Sequence, residues 1–471
     1  MKKINLTLED IFEIPGAVVY NSDKYSDIEL VSIDSRNIKK GSLFIAIKGE
    51  KFDGHDFVRE VLKKNVSAVM IDQNKYKNFS DLELPVITVN DTTKALGDLA
   101  RMWRRKLYAI CGLNVIAITG SAGKTSTKEM IAAMLAEKYK VNKTILNNNN
   151  HIGVPLTILS TNEKHQVLVL ELGTNHFGEI QYTSSIAEPD YALITNIGSS
   201  HLEFLKNKRG VLKEKFALFE ETIKNNGTLF INQDDPLLKN SVKNYNRQIT
   251  YSFKYNSDVR GELKGIDKNG KEIVELNYKN INITGAFVYG EQNARNLLAS
   301  SAVAFRLGLN KNQILNGIKK NKPIDKRLTI KNYKNKITLI DDTYNANPES
   351  MKYAIETLNK ISGGRKKIAV LGDMFELGTE SGKYHIDLAK VLVKNKIDEV
   401  HLTGTMMKSL YSELSSKKIS GTCKAKHYDD RKNLEKSLLS LGYKNTIVLV
   451  KGSRGMKMEE FVKILEGKIK G

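Results

Sequence analysis

The 471-residue chain has little cysteine and no long apolar run. Its two cysteines, Cys111 and Cys423, lie far apart and lack metal-ligand spacing, so we expect neither a disulfide framework nor a zinc site. No stretch approaches the roughly 18 apolar residues of a membrane-spanning helix. Residues 1–10 turn acidic before the apolar core of a signal peptide could form. We therefore expect a cytoplasmic protein without a membrane span.

The chain also lacks an uninterrupted basic block, although its formal net charge is +21. The lysines are scattered among asparagine and isoleucine, without the interleaved aromatics that stack on bases. A solvated lysine-rich surface explains this charge better than a nucleic-acid site, and the same field attracts a small anionic substrate. We expect a monomer with no nucleic-acid partner. A P-loop nucleic-acid binder is the non-enzyme alternative, and its DNA binding would depend steeply on salt.

The most informative motif is the sequence Gly-Ser-Ala-Gly-Lys-Thr at residues 120–125, between the apolar run 115–118 and a predicted helix start. Glycines let backbone N–H groups turn toward an anion, and the following helix adds its unsatisfied N-terminal donors. Lys124 supplies a point charge, and the Thr125 hydroxyl can hold Mg²⁺. Ile118 replaces the first glycine of the full P-loop pattern, which leaves the shorter form found in some ATP-dependent ligases. The motif predicts bound ATP.

The length suggests about three domains, which we place at residues 1–89, 90–325 and 326–471. The first region is short and mixed, while the other two alternate strand and helix patterns typical of parallel sheets. Residues 249–288 indicate a β-rich insertion, and the proline within 322–325 fits a linker. The predicted fold class is α/β, with a small mixed N-terminal domain, a central P-loop parallel-sheet ATPase domain and a C-terminal Rossmann-like domain. The strand candidates are residues 43–47, 68–71, 115–119, 167–171, 192–197, 228–231, 337–340, 368–371, 400–402 and 447–450.

Three side chains outside the P-loop are candidates for chemistry. Glu171 ends a predicted strand, and the carboxyl end of a parallel strand beside a P-loop is where a metal-holding acid is expected. His201 lies just past another strand and is a candidate metal ligand, with Mn²⁺ as an alternative to Mg²⁺ because the donor is nitrogen. Lys215 lies on an amphipathic helical stretch, and its chemistry alone predicts an exposed surface position.

Three polar clusters follow later in the chain. Residues 289–296 open a helix with amide side chains that suit either hydrogen bonds to a purine or an ordering role in the fold. Residues 341–350 follow a strand and hold more polar side chains than one N-cap needs. Residues 451–455 form a second glycine-bearing cationic turn, which suits a carboxylate or a phosphate.

Together these residues resemble the Mur ligases, the ATP-dependent amide-forming enzymes of peptidoglycan synthesis, over nearly the whole chain. The last two motifs below are similar to the branch of that family that adds D-alanyl-D-alanine. The motifs are Asp34-Ser35-Arg36, Gly49, residues 52–57, 119–125, 148–155, 342–348 and 372–378.

The resemblance implies that ATP and Mg²⁺ serve a ligase that joins D-alanyl-D-alanine to UDP-N-acetylmuramoyl-tripeptide through an acyl phosphate. It assigns the UDP-substrate to the first domain, ATP to the second, and the dipeptide to a third domain that closes on ATP. The implied catalytic residues are Lys124, Glu171, His201 and Lys215. The implied metal ligands are Thr125, Glu171, His201 and a carbamylated Lys215, with Lys213 as the competing position. The implied nucleotide-binding residues are Gly120, Ser121, Ala122, Gly123, Lys124, Thr125, Ser126, Asn293, Asn296, Arg327 and Asp342. The implied substrate-binding residues are Ser35, Arg36, Asp53, Gly54, His55, Asn150, His151, Tyr344, Asn345, Asn347, Lys451 and Arg454.

One position departs from the family pattern: the usual His-Asn of the purine helix is Gln292-Asn293. Folylpolyglutamate synthase shares the ATP loop and is the alternative enzyme, but residues 53–55 and 342–348 speak against it. Lysine and diaminopimelate are both open as the third residue of the acceptor peptide. Binding three ligands across three domains predicts domain closure, which would exclude water from the acyl phosphate.

Overall fold

A computed structural model of the protein describes residues 4–416 and 423–470. The described chain forms three β-sheets in chain order, each flanked by helices, which is the predicted α/β fold class. The ends of the first and last predicted domains, residues 1–3 and 471, lie outside the described residues, as do residues 417–422. Within the described ranges, no helix combines the length and hydropathy needed to cross a bilayer.

The first sheet has five strands, and a long helix connects it to the second sheet. The strands are β1 (Val18–Tyr20), β2 (Leu30–Ser32), β3 (Ser42–Ile45), β4 (Ala68–Asp72) and β5 (Val86–Val89), and the helices are α1 (Leu8–Phe12), α2 (Val58–Leu62) and α3 (Thr92–Cys111). The strand order is β1-β5-β4-β3-β2, and only the β1/β5 pair is antiparallel. Asp91 caps the start of α3, and Gly112 ends it in the left-handed conformation.

The second sheet has nine strands and carries the P-loop. The strands are β6 (Asn114–Thr119), β7 (Val141–Lys143), β8 (Val167–Glu171), β9 (Tyr191–Ile194), β10 (Thr228–Asn232), β11 (Gln248–Ser252), β12 (Val259–Ile266), β13 (Glu272–Tyr278) and β14 (Ile281–Val288). The helices are α4 (Lys124–Leu135), α5 (Gly153–Leu159), α6 (Glu179–Ala187), α7 (Leu202–Leu205), α8 (Lys208–Lys224), α9 (Pro236–Lys239), α10 (Glu291–Arg306) and α11 (Lys311–Lys320).

The order of this sheet is β14-β13-β12-β11-β10-β9-β6-β8-β7, parallel from β7 through β12 and antiparallel at its β13 and β14 edge. The predicted β-rich insertion therefore extends the sheet. Every residue of β8 is buried, as expected for a continuous apolar run in a sheet covered on both faces. Because β8, β6 and β9 are adjacent and parallel, the segments that follow them meet at one edge of the sheet.

The third sheet has six strands. They are β15 (Thr329–Tyr333), β16 (Ile337–Asp342), β17 (Lys366–Gly372), β18 (Glu399–Thr403), β19 (Lys424–Tyr428) and β20 (Thr446–Lys451). The helices are α12 (Pro348–Lys360), α13 (Ser381–Lys394), α14 (Met407–Leu414), α15 (Arg431–Ser440) and α16 (Glu459–Lys470). The strand order is β15-β16-β20-β17-β18-β19, and only β15 is antiparallel to its neighbour.

Helix α12 of the third domain contacts the second domain at both of its ends. At its start, the Glu349 carboxylate accepts a hydrogen bond from the Ser199 N–H at 2.9 Å and lies 3.0 Å from the Lys208 ammonium. At its end, the Lys360 ammonium donates to both carboxylate oxygens of Glu272 at 2.8 Å. These contacts dock the third domain on the P-loop edge of the second.

Candidate active site

The P-loop turn at residues 120–123 is packed so closely that two of its positions admit only glycine. Gly120 has φ 148°, and a Cβ there would lie 1.9 Å from the Thr195 hydroxyl oxygen. Gly123 has φ 82°, and a Cβ there would lie 2.3 Å from Asn296 Oδ1. The turn is therefore fixed by side chains that follow β9 and by the first turns of α10.

Lys124 begins α4 and is half-buried, with its ammonium donating to the Gly120 carbonyl at 2.7 Å. Burial lowers the pKa of Lys124; the Glu171 carboxylate opposes this shift, and the Arg327 guanidinium adds to it. A partly desolvated cation of this kind gains strongly from an anionic ligand. The environment of Lys124 therefore fits the predicted contact with ATP phosphates.

Oxygen atoms of Thr125 and Glu171 meet at the carboxyl ends of β6 and β8. The Thr125 hydroxyl donates to Glu171 Oε1 at 3.2 Å, and the Asn149 amide donates to the same oxygen at 3.0 Å. Arg327, from the third domain, donates to the Thr125 hydroxyl at 3.1 Å. No cluster of three or more His, Cys, Asp or Glu side chains within the described ranges could hold a metal ion alone. The pair of oxygens instead fits Mg²⁺ shared with substrate phosphates and water.

His201 lines the same site and joins the second and third domains. It adopts φ 54° at the start of α7, and its Nδ1 lies 2.6 Å from the Glu376 carboxylate of the third domain. Burial lowers the pKa of His201, although Glu376 acts in the opposite direction. The close contact with His201 in turn lowers the pKa of Glu376. The ring is thus oriented by a carboxylate, as is common for metal-binding histidines.

The predicted surface position of Lys215 is wrong. Lys215 is 1% exposed on α8, whereas Lys213 two residues earlier is exposed. Burial lowers the pKa of Lys215 well below its ordinary value, and the charge of Lys124 acts in the same direction. Helix α8 packs against α6 and β9, and Lys215 lies on the buried face of the helix. Of the two candidate positions, Lys215 alone has a buried amine.

A cavity of about 390 Å³ lies at this edge, between the second and third domains. Gly120, Lys215 and Arg454 are not among its lining residues within the described part of the chain. Glu179 and Tyr353 also line it, although the sequence assigned no site role to them, and so do Asn149 and Gln292 from motifs 148–155 and 289–296. The predicted residues that line the cavity are Ser121, Ala122, Gly123, Lys124, Thr125, Ser126, Asn150, His151, Glu171, His201, Asn293, Asn296, Arg327, Asp342, Tyr344, Asn345, Asn347 and Lys451.

The third-domain wall of the cavity is braced by Lys451. This buried lysine donates to Asp342 Oδ2 at 2.6 Å and to the Asn345 carbonyl at 2.9 Å. The sequence pattern predicted that this turn binds a ligand carboxylate or phosphate, but the Lys451 ammonium is paired with Asp342 of the protein itself. The Arg327 guanidinium lies 3.9 Å from the ring centroid of Tyr344, which places a flat cationic and aromatic pair on the wall.

Two other predicted residues of this domain differ in accessibility. Asn347 caps α12 and donates to the Ser121 carbonyl of the P-loop at 3.3 Å. Arg454 is largely exposed, and its guanidinium pairs with Glu459 at 3.0 Å. The high polar density of residues 341–350 thus serves helix capping and contact with the P-loop together.

The amide cluster at the start of α10 forms a chain of hydrogen bonds. Gln292 Nε2 donates to Asn296 Oδ1 at 3.1 Å, and Asn296 Nδ2 donates to Asn293 Oδ1 at 3.3 Å. Asn293 Nδ2 then donates to the Tyr289 carbonyl at 3.1 Å. Because Asn296 also packs on Gly123, these contacts give the cluster the ordering role that was one of its two alternatives.

The Asp53-Gly54-His55 motif forms a tight turn in the first domain. His55 is 5% exposed, and both ring nitrogens have partners: Nδ1 lies 2.6 Å from Asp53 Oδ1, and Nε2 accepts from the Asp72 N–H at 2.9 Å. A Cβ at Gly54 would lie 2.6 Å from the Ile47 nitrogen. The His55 ring is therefore engaged within the domain, and its role toward the UDP-substrate stays a prediction.

Ser35 and Arg36 lie together in the loop after β2. Ser35 is buried, and its carbonyl accepts from the Lys64 ammonium at 2.7 Å. The Arg36 side chain is 83% exposed and pairs with Asp34 at 2.9 Å. Arg36 is therefore accessible to an anionic ligand, whereas the Ser35 side chain is largely covered.

Three family models match the chain. The first, described as "Mur ligase family, catalytic domain", matches residues 27–104; "Mur ligase middle domain" matches 118–304; and "Mur ligase, glutamate ligase domain" matches 326–454. Among curated relatives, the UDP-N-acetylmuramoyl-tripeptide--D-alanyl-D-alanine ligase of Bacillus subtilis is 35% identical over 98% of this chain and 98% of its own length. The Escherichia coli protein of the same name is 32% identical over 98% and 99%.

Two solved structures are similar over nearly their whole length. A crystal structure of MurF from Acinetobacter baumannii aligns with a TM-score of 0.87 at 28% identity, covering 99% of this chain and 100% of that one. The MurF ligase of Thermotoga maritima, solved in complex with ADP, aligns with a TM-score of 0.81 at 28% identity, covering 93% and 97%.

Proposed function

This chain belongs to the Mur ligase family, and we infer that it joins D-alanyl-D-alanine to UDP-N-acetylmuramoyl-tripeptide with ATP, giving the UDP-muramoyl-pentapeptide precursor of peptidoglycan. The observation that carries this inference is the likeness to relatives of that name, 35% identical over 98% of the chain. Folylpolyglutamate synthase is not favoured, because these relatives cover nearly the whole chain.

The residues of the cavity fit a magnesium nucleotide. Lys124 and the P-loop N–H groups would hold the ATP phosphates, as the MurF relative solved with ADP suggests. Thr125 and Glu171 would bind Mg²⁺, with His201 as the third protein ligand and Mn²⁺ as an alternative ion. When bound, the ion would screen the negative charge that an approaching carboxylate must overcome.

The reaction proceeds in two displacements. A carboxylate oxygen of the tripeptide attacks the γ-phosphorus, the bond to the ADP oxygen breaks, and an acyl phosphate forms. The amine of D-alanyl-D-alanine then attacks the acyl carbon, the carbon–oxygen bond to phosphate breaks, and the amine loses a proton. Lys124 and Arg327 neutralise charge on the transferred group. Docking of the third domain through Glu349 and Glu376 excludes water from the acyl phosphate.

We propose that Lys215 is carbamylated. Its buried side chain and lowered pKa favour the neutral amine, which is the form that adds to CO₂. The product would be an anionic oxygen donor that interacts favourably with the charge of Lys124, which now disfavours the Lys215 ammonium. This chemistry would relieve the unfavourable burial of one cation beside another.

The domain assignments extend this proposal. Residues 1–89 would bind the UDP-substrate, 90–325 would bind ATP, and 326–471 would bind the dipeptide and close on ATP. We propose that the enzyme acts as a monomer. We propose a cytoplasmic enzyme, where ATP is available, with no nucleic-acid partner.

Phosphate release tests the function directly. The purified protein is mixed with ATP, Mg²⁺ and UDP-muramoyl tripeptide, in parallel lysine and diaminopimelate forms, with and without D-alanyl-D-alanine. We expect release that requires the dipeptide, and the preferred tripeptide identifies the third residue. A folded Lys124→Ala variant should be inactive. Release that ignores the dipeptide, or none with either tripeptide, contradicts the assignment.

A further inference from the structure

Lys128 lies one helical turn after the P-loop lysine on α4, and its side chain is 0% exposed. Its ammonium donates to the carbonyls of Thr144, at 2.8 Å, and Leu146, at 3.4 Å. It also lies 3.2 Å from Glu129 Oε1 and 3.7 Å from Glu171 Oε2. A buried ammonium is strongly destabilising unless such partners surround it, so its position is tightly fixed.

The two oxygens of Glu171 face different groups. Oε1 accepts hydrogen bonds from Thr125 and Asn149 at the cavity. Oε2 is buried without a hydrogen-bond partner among the described residues, and the charge of Lys128 lies beside it. The Lys128 ammonium therefore balances the negative charge at Glu171 Oε2, and Oε1 stays directed at Thr125.

Lys128 also fixes the segment 144–149 that follows β7. Besides the two carbonyls on Lys128, the Thr144 hydroxyl accepts from the Glu171 N–H at 3.0 Å. Leu146 holds φ 52°, a region that L-residues adopt at a cost and only when neighbours enforce it. The same segment carries Asn149, the amide on Glu171 Oε1. One ammonium thus links the P-loop helix, the acidic strand end and this segment.

We propose that Lys128 is a positioning residue that holds the Glu171 carboxylate and segment 144–149 in the geometry that receives a divalent cation with the nucleotide. The inference rests on the proposed function. Lys128 acts through Glu171 and Asn149 and needs no contact with any substrate.

The test compares Lys128→Met with Lys143→Met. Methionine keeps most of the length of lysine but removes its charge and donors. Lys143 pairs with the other carboxylate oxygen of Glu129, yet its side chain is 39% exposed and forms no ion pair with Glu171 among the described residues, which makes it a matched control. Binding of Mn²⁺ at saturating ADP is followed by electron paramagnetic resonance, ADP affinity is measured without metal, and hydrogen exchange is followed in residues 144–150.

For Lys128→Met we expect the apparent Kd for Mn²⁺ to rise about tenfold or more, the range found when groups supporting metal ligands are removed. Exchange in residues 144–150 should be faster, and metal-free ADP affinity should stay within about twofold, since the nucleotide contacts of the P-loop are intact. Lys143→Met should match the parent.

An Mn²⁺ affinity equal to or tighter than the parent's, with only a lower melting temperature, would show a merely structural lysine and overturn the inference. A parent protein that fails to bind Mn²⁺ with ADP would instead contradict the proposed function. If Lys128→Met does not fold, Lys128→Gln retains a donor for the Thr144 carbonyl and removes the charge. Weakened Mn²⁺ binding in that folded variant supports the inference, and parent-like binding overturns it.

Discussion

Replacement of Glu349 by alanine tests whether docking of the third domain controls the reaction. Its carboxylate accepts from the Ser199 N–H at 2.9 Å and from the Ser199 hydroxyl at 3.1 Å, and it lies 3.0 Å from Lys208. Ser199 is 1% exposed, so water cannot readily replace the lost acceptor in the docked arrangement. Glu349 does not line the cavity, and its loss removes no direct contact with the nucleotide.

The size of the effect follows from these contacts. A buried N–H left without an acceptor is destabilised by about 1–3 kcal/mol. The pair with Lys208, whose side chain is 48% exposed, is screened by solvent and leaves this range unchanged. The substitution destabilises only the docked arrangement, because water can hydrogen-bond to the Ser199 N–H and the Lys208 ammonium when the domains separate. A coupling of about 1–3 kcal/mol corresponds to roughly 5- to 150-fold in an equilibrium constant.

We therefore expect kcat/KM for D-alanyl-D-alanine to fall about 5- to 150-fold in Glu349→Ala, with a smaller loss in kcat because saturating ligands favour the docked state. Phosphate release at varied dipeptide concentration measures both, and small-angle scattering follows the domain arrangement. Glu356→Ala is the control, since Glu356 lies on the same helix and pairs with Lys352 of its own domain, its one ion pair among the described residues. Parent-like kinetics with unchanged scattering, or an equal loss in the control, would refute the reasoning.

Three further predictions concern single residues. Burial lowers the pKa of Lys215 in the folded state. Between that lowered pKa and the ordinary lysine pKa of about 10.4, the unfolded state binds more protons than the folded state, so the free energy of unfolding should rise with pH. Lys215→Met, compared in CO₂-free urea titrations, should be more stable than the parent at pH 7 and less dependent on pH; equal or lower stability contradicts this. Gly123→Ala should weaken ADP binding about tenfold or more by calorimetry, through left-handed strain and the contact with Asn296, whereas Gly112→Ala, with positive φ but open space, should bind normally. His55→Ala should lower the free energy of unfolding by about 1–3 kcal/mol without changing the Kd for the UDP-substrate, and loss of binding at full stability would restore a ligand role.

The P-loop and its arrangement could be predicted because their signals are local. The strand, the glycine turn, Lys124 and Thr125 are consecutive in the chain, so their arrangement follows from the motif itself. Glu171 and His201 could be added because parallel strands end at one edge of a sheet. The strand candidates of all three sheets are confirmed, although β9 ends at Ile194 rather than at residue 197.

The remaining features depend on packing that no local pattern encodes. Helical periodicity does not say which neighbours will cover Lys215, and a polar motif does not reveal that the ring of His55 turns inward. The contact of Glu349 with Ser199 joins residues 150 positions apart. Asn149 and Glu376 lie in motifs that the sequence makes conspicuous, but their partners are known only once the domains are assembled.

The attachment of α12 at both of its ends bears on how products leave. The helix has 13 residues and spans about 20 Å, and a helix of that length does not bend easily. The third domain therefore cannot separate from Ser199 while Lys360 remains paired with Glu272. Domain opening is then a concerted rigid-body movement in which both contacts break together. We expect the closed state to be shorter-lived when either contact is weakened. The Lys360–Glu272 pair should therefore influence the rate of product release as much as the Glu349–Ser199 contact does.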